Sequence, residues 1–259
     1  MKILVTNDDG IEAPGLWALA GELQKVGQVK IVAPQWEQSG VASSVSLRQA
    51  IKVDRIESQV EGVEAFSVEG TPADCVIIAF RSLFPDEIDL LVSGINRGPN
   101  IGHDVFVSGT VGAALQGYLR GLPSLAISLN GYEGLNFEVA AKLAALLAAK
   151  INQGVLPKGI LLNVNLPNLP LEKTMGMEVT KLSKQSYCDT VERNRDSQGG
   201  CYRIMRGMEA YYGDPGSDIG CLQLNKISVT PLLDSSVVNP LHHLLQGLIP
   251  VIYEELHSY

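Results

Sequence analysis

The sequence predicts an α/β fold: a three-layer, doubly wound, Rossmann-like domain with a mostly parallel sheet, an extended β arm and a C-terminal tail. Two observations lead to this prediction. Strand-like runs alternate with helix-like stretches through roughly the first 165 residues, and the strand-like runs are almost continuously apolar. Strands covered on both faces have such runs, whereas strands with one face in water alternate apolar with polar residues. With 259 residues and a hydrophobic content of 46%, the chain can form one large core.

Strands and helices alternate in the predicted order of elements. The strands are Ile3–Thr6, Val29–Ala33, Ile88–Val92, Leu125–Leu129 and Ile160–Val164. The helices are Leu16–Val26, Pro72–Leu83, Val111–Arg120 and Phe137–Ile151. Thr71 and Asn136 stand just before two of these helices, and side-chain oxygens at such positions cap the first free N–H groups. We expect both residues to be N-caps.

The character of the sequence changes after about residue 180. The stretch from Lys184 to Asp218 is polar and rich in Gly and Tyr, with a predicted turn at Ser197–Gly200 and a strand at Cys201–Met205. It predicts an extended β arm, and its tyrosines suggest packing on a sister subunit: Tyr187, Tyr202, Tyr211 and Tyr212. Strand Ile227–Leu232 returns to the core. We therefore expect a single domain, 1–259, with the core at about 1–180 and 226–240, the arm at about 181–225, and a tail at about 241–259 that starts helical and ends in a strand.

Composition excludes several classes of protein. The formal net charge of −8 argues against a nucleic-acid polymer as partner, although a small anion could be held by local positive features. Four cysteines without a Cys-x-x-Cys pair argue against a zinc cluster or a disulfide framework. No apolar run is long enough to span a bilayer, and the first residues run straight into strand-like sequence without the apolar region and cleavage site expected of a signal peptide. We expect a cytoplasmic protein with no membrane partner.

Two adjacent carboxylates, Asp8 and Asp9, follow the first predicted strand directly, within Asn7-Asp8-Asp9-Gly10. One interpretation is an ordinary turn, in which Asn and Asp side chains bond their own backbone and Gly10 takes a positive φ. The other is a divalent cation that holds both carboxylates ionised at the end of a buried strand. The motif alone does not decide between them.

Polar residues also follow two other predicted strands. Ser39 follows the second strand, and Asn96 follows the strand that ends at Val92. Because ligands bind at the carboxyl ends of strands in doubly wound sheets, these side chains could meet the two carboxylates. Taken alone, Ser39 could instead be an ordinary loop hydroxyl, and Asn96 could be a turn former. An all-oxygen set of this kind suits Mg²⁺, Mn²⁺ or Ca²⁺ rather than zinc.

Ser108, Gly109 and Thr110 stand at the start of the predicted helix Val111–Arg120, whose first turns carry small residues. Free backbone N–H groups and two hydroxyls at a helix start form a plausible phosphate cradle. The alternative is a Ser/Thr N-cap with small residues for close packing. The sequence has no G-x-G-x-x-G dinucleotide fingerprint, no P-loop and no G-x-S-x-G elbow.

Seven motifs span nearly the whole chain in a familiar order. They are Asn7-Asp8-Asp9-Gly10, Ala33-Pro34 with Gln38-Ser39-Gly40, Gly70-Thr71-Pro72-Ala73-Asp74-Cys75, Ser93-Gly94-Ile95-Asn96-Arg97-Gly98, Ser108-Gly109-Thr110-Val111-Gly112-Ala113-Ala114, Asn163-Val164-Asn165-Leu166-Pro167 and Ser228-Val229-Thr230-Pro231-Leu232. Together they resemble the SurE family of stationary-phase survival proteins, which are metal-dependent 5′/3′-nucleotidases. The family usually has Tyr just before its Ser-Gly-Thr, and Val107 occupies that position here.

The resemblance implies hydrolysis of nucleoside monophosphates and, in some members, of short polyphosphate. It implies one divalent cation per subunit, Mg²⁺ or Mn²⁺ with Ca²⁺ as a substitute, on ligands that correspond to Asp8, Asp9, Ser39 and Asn96. It implies that substrate phosphate binds at Asn96, Ser108, Gly109 and Thr110. Family members form dimers or tetramers through a C-terminal arm.

We hypothesise metal-assisted attack of water on the phosphomonoester, with Asp8 or Asp9 orienting the water or acting as general base. An aspartyl-phosphate intermediate is less favoured, because a carboxylate engaged on a metal is a poor nucleophile. The alternatives are a broad exopolyphosphatase, a nucleotide-sensing module that does not hydrolyse its ligand, and a purely architectural role.

Overall fold

A nine-stranded sheet forms the centre of the computed structural model, which describes residues 1–85, 87–185, 188–194, 201–207, 213–233 and 240–259. The described strands are the nine of this sheet and a separate pair, β9 and β10. In chain order they are β1 (Lys2–Thr6), β2 (Gln28–Pro34), β3 (Val53–Ile56), β4 (Glu64–Val68), β5 (Leu90–Arg97), β6 (Ser124–Asn130), β7 (Leu161–Pro167), β8 (Met177–Val179), β9 (Cys188–Asn194), β10 (Cys201–Gly207) and β11 (Ile227–Pro231). The α-helices are α1 (Pro14–Leu23), α2 (Pro72–Ile78), α3 (Gly109–Tyr118), α4 (Glu138–Asn152), α5 (Asp218–Gln223) and α6 (Pro240–Ser258).

The sheet is mostly parallel, which confirms the predicted fold class. Its order is β3-β4-β2-β1-β5-β6-β7-β11-β8, and only the β3–β4 and β7–β11 pairs are antiparallel. Alternate residues of β1 enter different cores. Ile3 and Val5 pack under α1, α4 and α6, whereas Leu4 packs under α2 and α3. Both faces of the sheet are therefore covered, as the continuous apolar runs predict.

The two predicted N-caps differ in outcome: Thr71 caps α2, whereas Phe137 and not Asn136 is the N-cap residue of α4. Thr71 accepts the Asp74 N–H, and the Asp74 side chain accepts the Thr71 N–H, so α2 begins with a full capping box. Asn136 Oδ1 accepts the Glu138 N–H at 3.0 Å, although Phe137 is the residue that flanks α4 directly. The predicted helix over 72–83 ends as α2 at Ile78 and continues as a π-helical turn, Ala79–Leu83.

Two boundary predictions were wrong. β5 does not end at Val92 but runs to Arg97 through a register shift between Ser93 and Asn96. The predicted loop residue Asn96 is thus held by the strand itself. The tail is helical throughout and does not end in a strand. The tail packs against α4 and β8 through buried residues at helical spacing: Leu245, Ile249, Ile252 and Leu256. Burial of these side chains overrides the helix-breaking tendency of Pro250.

The predicted arm contains an antiparallel two-stranded ribbon, β9–β10, in which Ile204 stands opposite Val191. Both side chains are exposed, as is Tyr202. The predicted turn Ser197–Gly200 and the tyrosines Tyr187, Tyr211 and Tyr212 lie outside the described residues. Helix α5, inside the range expected for the arm, instead contacts β7 and β11 and is part of the core.

Among the described helices, none is long and apolar enough to cross a membrane.

Candidate metal and phosphate site

The site lies where the direction of the sheet changes. β1 is hydrogen-bonded to parallel β2 on one side and to parallel β5 on the other, with Thr6 opposite Ser93 at the carboxyl ends. The chain leaves β1 for α1 on one face of the sheet and leaves β5 for α3 on the other face. The loops part at this point and open a crevice, which is where doubly wound sheets bind ligands.

Asp8 is the buried member of the carboxylate pair, with 4% of its surface exposed. Thr110 Oγ1 donates a hydrogen bond of 2.5 Å to Asp8 Oδ1. Burial raises the pKa of Asp8 to about 7, opposed by the Thr110 hydrogen bond and reinforced by the negative charge of Asp9. A carboxylate with so raised a pKa is held ionised at neutral pH only with help from a nearby positive charge.

Asp9 has a different environment. Its Oδ2 accepts the backbone N–H of Arg97 at 3.0 Å. Burial raises the pKa of Asp9, while the Arg97 N–H and guanidinium act in the opposite direction. Asp9 lines a cavity of about 560 Å³ that adjoins the site, together with Glu12, Glu37 and Phe137. The two carboxylates are thus stabilised by different partners.

The other two predicted metal ligands lie at the same sheet edge. The Gln38 N–H donates to the Asp8 carbonyl at 2.7 Å, which draws the loop after β2 over the first loop. Ser39 is exposed, and its Oγ donates to Glu37 Oε1 at 2.9 Å. Asn96 is buried, and its Nδ2 donates to the Gly98 carbonyl at 2.8 Å, so its amide oxygen is the atom available as a ligand.

A cavity of about 270 Å³ brings most of the predicted site together. Asp8, Ser39, Asn96 and Ser108 all line it, while Asp9 lines the larger cavity beside it. In the part of the chain that is described, no group of three or more His, Cys, Asp or Glu side chains could hold a metal. The donors at this edge are instead two carboxylates, a hydroxyl and an amide, a set that fits a hard cation. A divalent cation here would also offset the cost of burying the Asp8 charge.

The start of α3 forms the wall next to Asp8. Ser108 is the N-cap, and its Oγ accepts the Val111 N–H at 3.1 Å. A Cβ added to Gly109 would lie 2.8 Å from Asp8 Cβ, so only glycine allows this approach. The Thr110 hydroxyl, predicted to contact phosphate, is instead donated to Asp8. Of the three residues of the predicted cradle, Ser108 lines the smaller cavity, Gly109 packs against Asp8, and Thr110 donates both its N–H and its hydroxyl to Asp8.

Buried asparagines fix the glycine-rich loop between β5 and α3. The Asn100 N–H donates to Asn165 Oδ1 at 2.8 Å, and the Asn100 carbonyl accepts Asn163 Nδ2 at 2.8 Å and Asn165 Nδ2 at 3.0 Å. Farther along the loop, the buried Asp218 accepts the Gly102 N–H at 2.7 Å. These contacts anchor the loop to β7 and α5, so it is rigid where it meets the site.

Sequence reasoning missed two residues, Arg97 and Tyr132, which line both cavities. Arg97 directly follows the predicted ligand Asn96. Tyr132 comes two residues after β6, so the same rule that identified Ser39 would have found it. Its side chain is 55% exposed. Aromatic rings at a site edge offer a flat apolar surface to a ligand.

The chain is similar to known proteins along nearly its whole length. The family model described as "Survival protein SurE" matches residues 3–189. A 5′-nucleotidase SurE from Dehalococcoides mccartyi (strain CBDB1) is 43% identical over 234 residues, which cover 90% of this chain and 88% of that protein. Another, from Legionella pneumophila (strain Corby), is 40% identical over 257 residues, which cover 98% and 100%.

The crystal structure of the SurE protein from Aquifex aeolicus has the same fold. It matches with a TM-score of 0.76 at 34% identity and covers 97% of this chain and 99% of that chain. The family match covers the first-strand carboxylates, the glycine-rich loop and the start of α3. With a matching sequence and a matching fold, the chain belongs to the SurE family.

Proposed function

We propose that this chain is a metal-dependent phosphatase that hydrolyses nucleoside 5′-monophosphates to nucleoside and phosphate. One observation carries the proposal. In a chain whose relatives are named 5′-nucleotidases, the buried Asp8 shares a cavity with Ser39, Asn96 and Ser108 at the start of α3. Phosphoryl transfer relies mainly on positioning and electrostatics, and this cavity offers both.

The metal would be one divalent cation per subunit, Mg²⁺ or Mn²⁺, with Ca²⁺ as a substitute. Asp8, Asp9, Ser39 and Asn96 would hold it through oxygen atoms. When bound, such a cation lowers the pKa of a water molecule and offsets the charge of a phosphate. Thr110 keeps Asp8 in one orientation through its hydrogen bond, which acts as an outer support of the ligand set.

The phosphate would lie against the start of α3. The Gly109 N–H, in the first turn of α3, lies at the positive end of the helix dipole and suits a phosphate oxygen, whereas the N–H and the hydroxyl of Thr110 both donate to Asp8. Asn96 would bind both cation and substrate. A carboxylate of the pair, Asp8 or Asp9, would orient the attacking water and accept its proton. Direct attack by water is favoured over an aspartyl-phosphate, because both carboxylates are engaged as ligands.

The active form would be a homodimer or homotetramer joined through the arm. The exposed apolar pair Val191 and Ile204 on the β9–β10 ribbon supports this part of the proposal, because such a surface favours contact with another chain. The whole chain, 1–259, would act as one domain. Hydrolysis of 3′-monophosphates and of short polyphosphate would be secondary activities of the same site.

A phosphate-release assay tests the proposal directly. The panel contains 5′- and 3′-nucleoside monophosphates and polyphosphate, each with Mg²⁺, Mn²⁺, Ca²⁺ or EDTA. We expect metal-dependent release that is fastest from the 5′-monophosphates. Release that persists in EDTA would refute the metal site, and tight nucleotide binding without release under any metal would favour a sensing module. Faster release from polyphosphate would favour an exopolyphosphatase.

A further inference from the structure

We propose that Tyr132 is the platform on which the nucleotide base stacks, and that the cavity beside Asp9 receives the nucleoside. This inference rests on the proposed function and adds to it the binding place of the leaving group. The two cavities share Arg97 and Tyr132 in their walls, so a ligand with its phosphate beside Asp8 extends directly across the tyrosine.

The size of the two cavities fits a substrate in two parts. The cavity at Asp8 has about 270 Å³ and the one at Asp9 about 560 Å³. Small-molecule sites commonly occupy about 300 to 1,000 Å³, so the smaller cavity suits a phosphate and the larger one a nucleoside. A lone phosphate would leave the larger cavity unexplained.

The ring of Tyr132 is supported on one side and open on another. A Cβ added to Gly98 would come within 2.8 Å of the ring, so the ring can pack there only because Gly98 has no side chain. More than half of the tyrosine surface, 55%, remains exposed. Bases stack on such rings with little dependence on sequence, because every base has a flat π face. Pro99 and Val107 also line the smaller cavity, but neither side chain has an aromatic ring.

The larger cavity has the more acidic wall, which bears on the direction of the ligand. The larger cavity is lined by the carboxylates of Asp9, Glu12 and Glu37, against the single cation of Arg97 among its described lining residues. A phosphate dianion is repelled from such a wall, whereas ribose hydroxyls and exocyclic amino groups can donate hydrogen bonds to it. The smaller cavity is also lined by carboxylates, those of Asp8 and Asp104, but it includes the helix N-cap Ser108 and most of the proposed cation ligands. We therefore place the phosphate in the smaller cavity and the nucleoside along the wall with three carboxylates.

Apolar side chains complete the larger cavity. Pro14, Leu135 and Phe137 line it beside the carboxylates, so it offers both an apolar surface for a base and acceptors for its polar edge. Mixed walls of this kind are typical of sites for small organic ligands. The sequence carries no separate base-binding motif, so recognition by stacking implies broad base tolerance.

Matched substrates with and without a base test this inference. We compare AMP with ribose 5-phosphate in the wild type, Tyr132→Ala, Tyr132→Phe and Tyr259→Ala, the last being a control that removes a partly exposed tyrosine from the chain end. Stacking of one base predicts that Tyr132→Ala raises KM for AMP about 10-fold or more, with little change in kcat. Tyr132→Ala should therefore lose more kcat/KM on AMP than on ribose 5-phosphate, whereas Tyr132→Phe and Tyr259→Ala should keep the wild-type ratio of the two activities.

Adenosine binding gives a readout that does not depend on hydrolysis. Calorimetry should show that metal-free wild type binds adenosine and that Tyr132→Ala binds it about 10-fold more weakly. Equal losses on AMP and ribose 5-phosphate, or unchanged adenosine binding in Tyr132→Ala, would overturn the inference. Adenosine binding that depends on Tyr132 in a protein without phosphatase activity would support the platform and refute only the proposed function.

Discussion

Asp8 and Asp9 are neighbours in the sequence, yet they belong to two different sides of the site. Asp8 is buried beside a hydroxyl, a helix start and small residues, and its pKa rises to about 7. Asp9 accepts a backbone N–H and borders a larger cavity with other carboxylates. The difference shows that two adjacent residues of one short motif can have distinct surroundings, because Asp8 is held by the start of α3 and Asp9 by the backbone at the end of β5.

Replacement of either carboxylate should have the largest effect. We expect Asp8→Asn and Asp9→Asn each to lower metal-dependent phosphate release by at least about 100-fold, since loss of even an outer-shell partner commonly costs 10- to 100-fold. Circular dichroism should show an intact fold in both. Wild-type turnover by either variant, with EDTA present, would contradict the metal site.

Gly109→Ala should come next, with a loss of about 10- to 100-fold in kcat/KM. Its Cβ would meet Asp8 Cβ at 2.8 Å and the Gln38 carbonyl at 3.1 Å, so the Asp8 wall must move. Gly21→Ala is the matched control, because a Cβ there has open space within α1. The control should keep full activity and gain stability by up to about 1 kcal/mol. Equal activity of the two variants would show that close approach at Gly109 is unimportant.

Thr110→Val should have a smaller effect, about 10-fold, on metal affinity. The substitution removes the hydroxyl that donates to Asp8 while it keeps the size of the side chain. Thr110→Ser restores the donor and should restore affinity, as measured by metal titration calorimetry. If both variants bind metal equally well, the hydroxyl does not support Asp8.

The last prediction concerns the stability of the metal-free protein as a function of pH rather than its activity. The folded-state pKa of Asp8 is about 7 against an ordinary value of 3.8, so the folded state binds this proton more tightly. Its contribution to stability is full below about pH 4 and is lost as the pH rises through 7. Denaturant unfolding should therefore show Asp8→Asn gaining on the wild type across this range, by up to about 4 kcal/mol. A constant difference between the two proteins would contradict the raised pKa.

Periodicity and strand-end placement predicted much of this molecule. The apolar runs indicated a sheet covered on both faces, and the polar residues after β1 and β2 indicated one sheet edge. Periodicity could not place the end of β5, because the register shift between Ser93 and Asn96 depends on pairing with β6. It also misjudged the tail, where burial of Ile252 outweighs the local effect of Pro250.

The contents of the site were harder to predict than its position. No local pattern shows that the Thr110 hydroxyl is donated to Asp8, since the two residues are far apart in the sequence. Tyr132 carried a usable signal, its place after β6, but it lacked a motif. Long-range contacts of this kind arise only when the elements are packed together.

The anchoring of the glycine-rich loop has a consequence for synthesis of the chain. The carboxylates Asp8 and Asp9 leave the ribosome first, but the partners that hold the loop at Asn100 and Gly102 belong to β7 and α5. Asn165 and Asp218 are translated long after the carboxylates, and domains are completed only as their later segments emerge. A nascent chain that stops before α5 would thus carry the acidic pair without all the contacts that anchor the glycine-rich loop beside it.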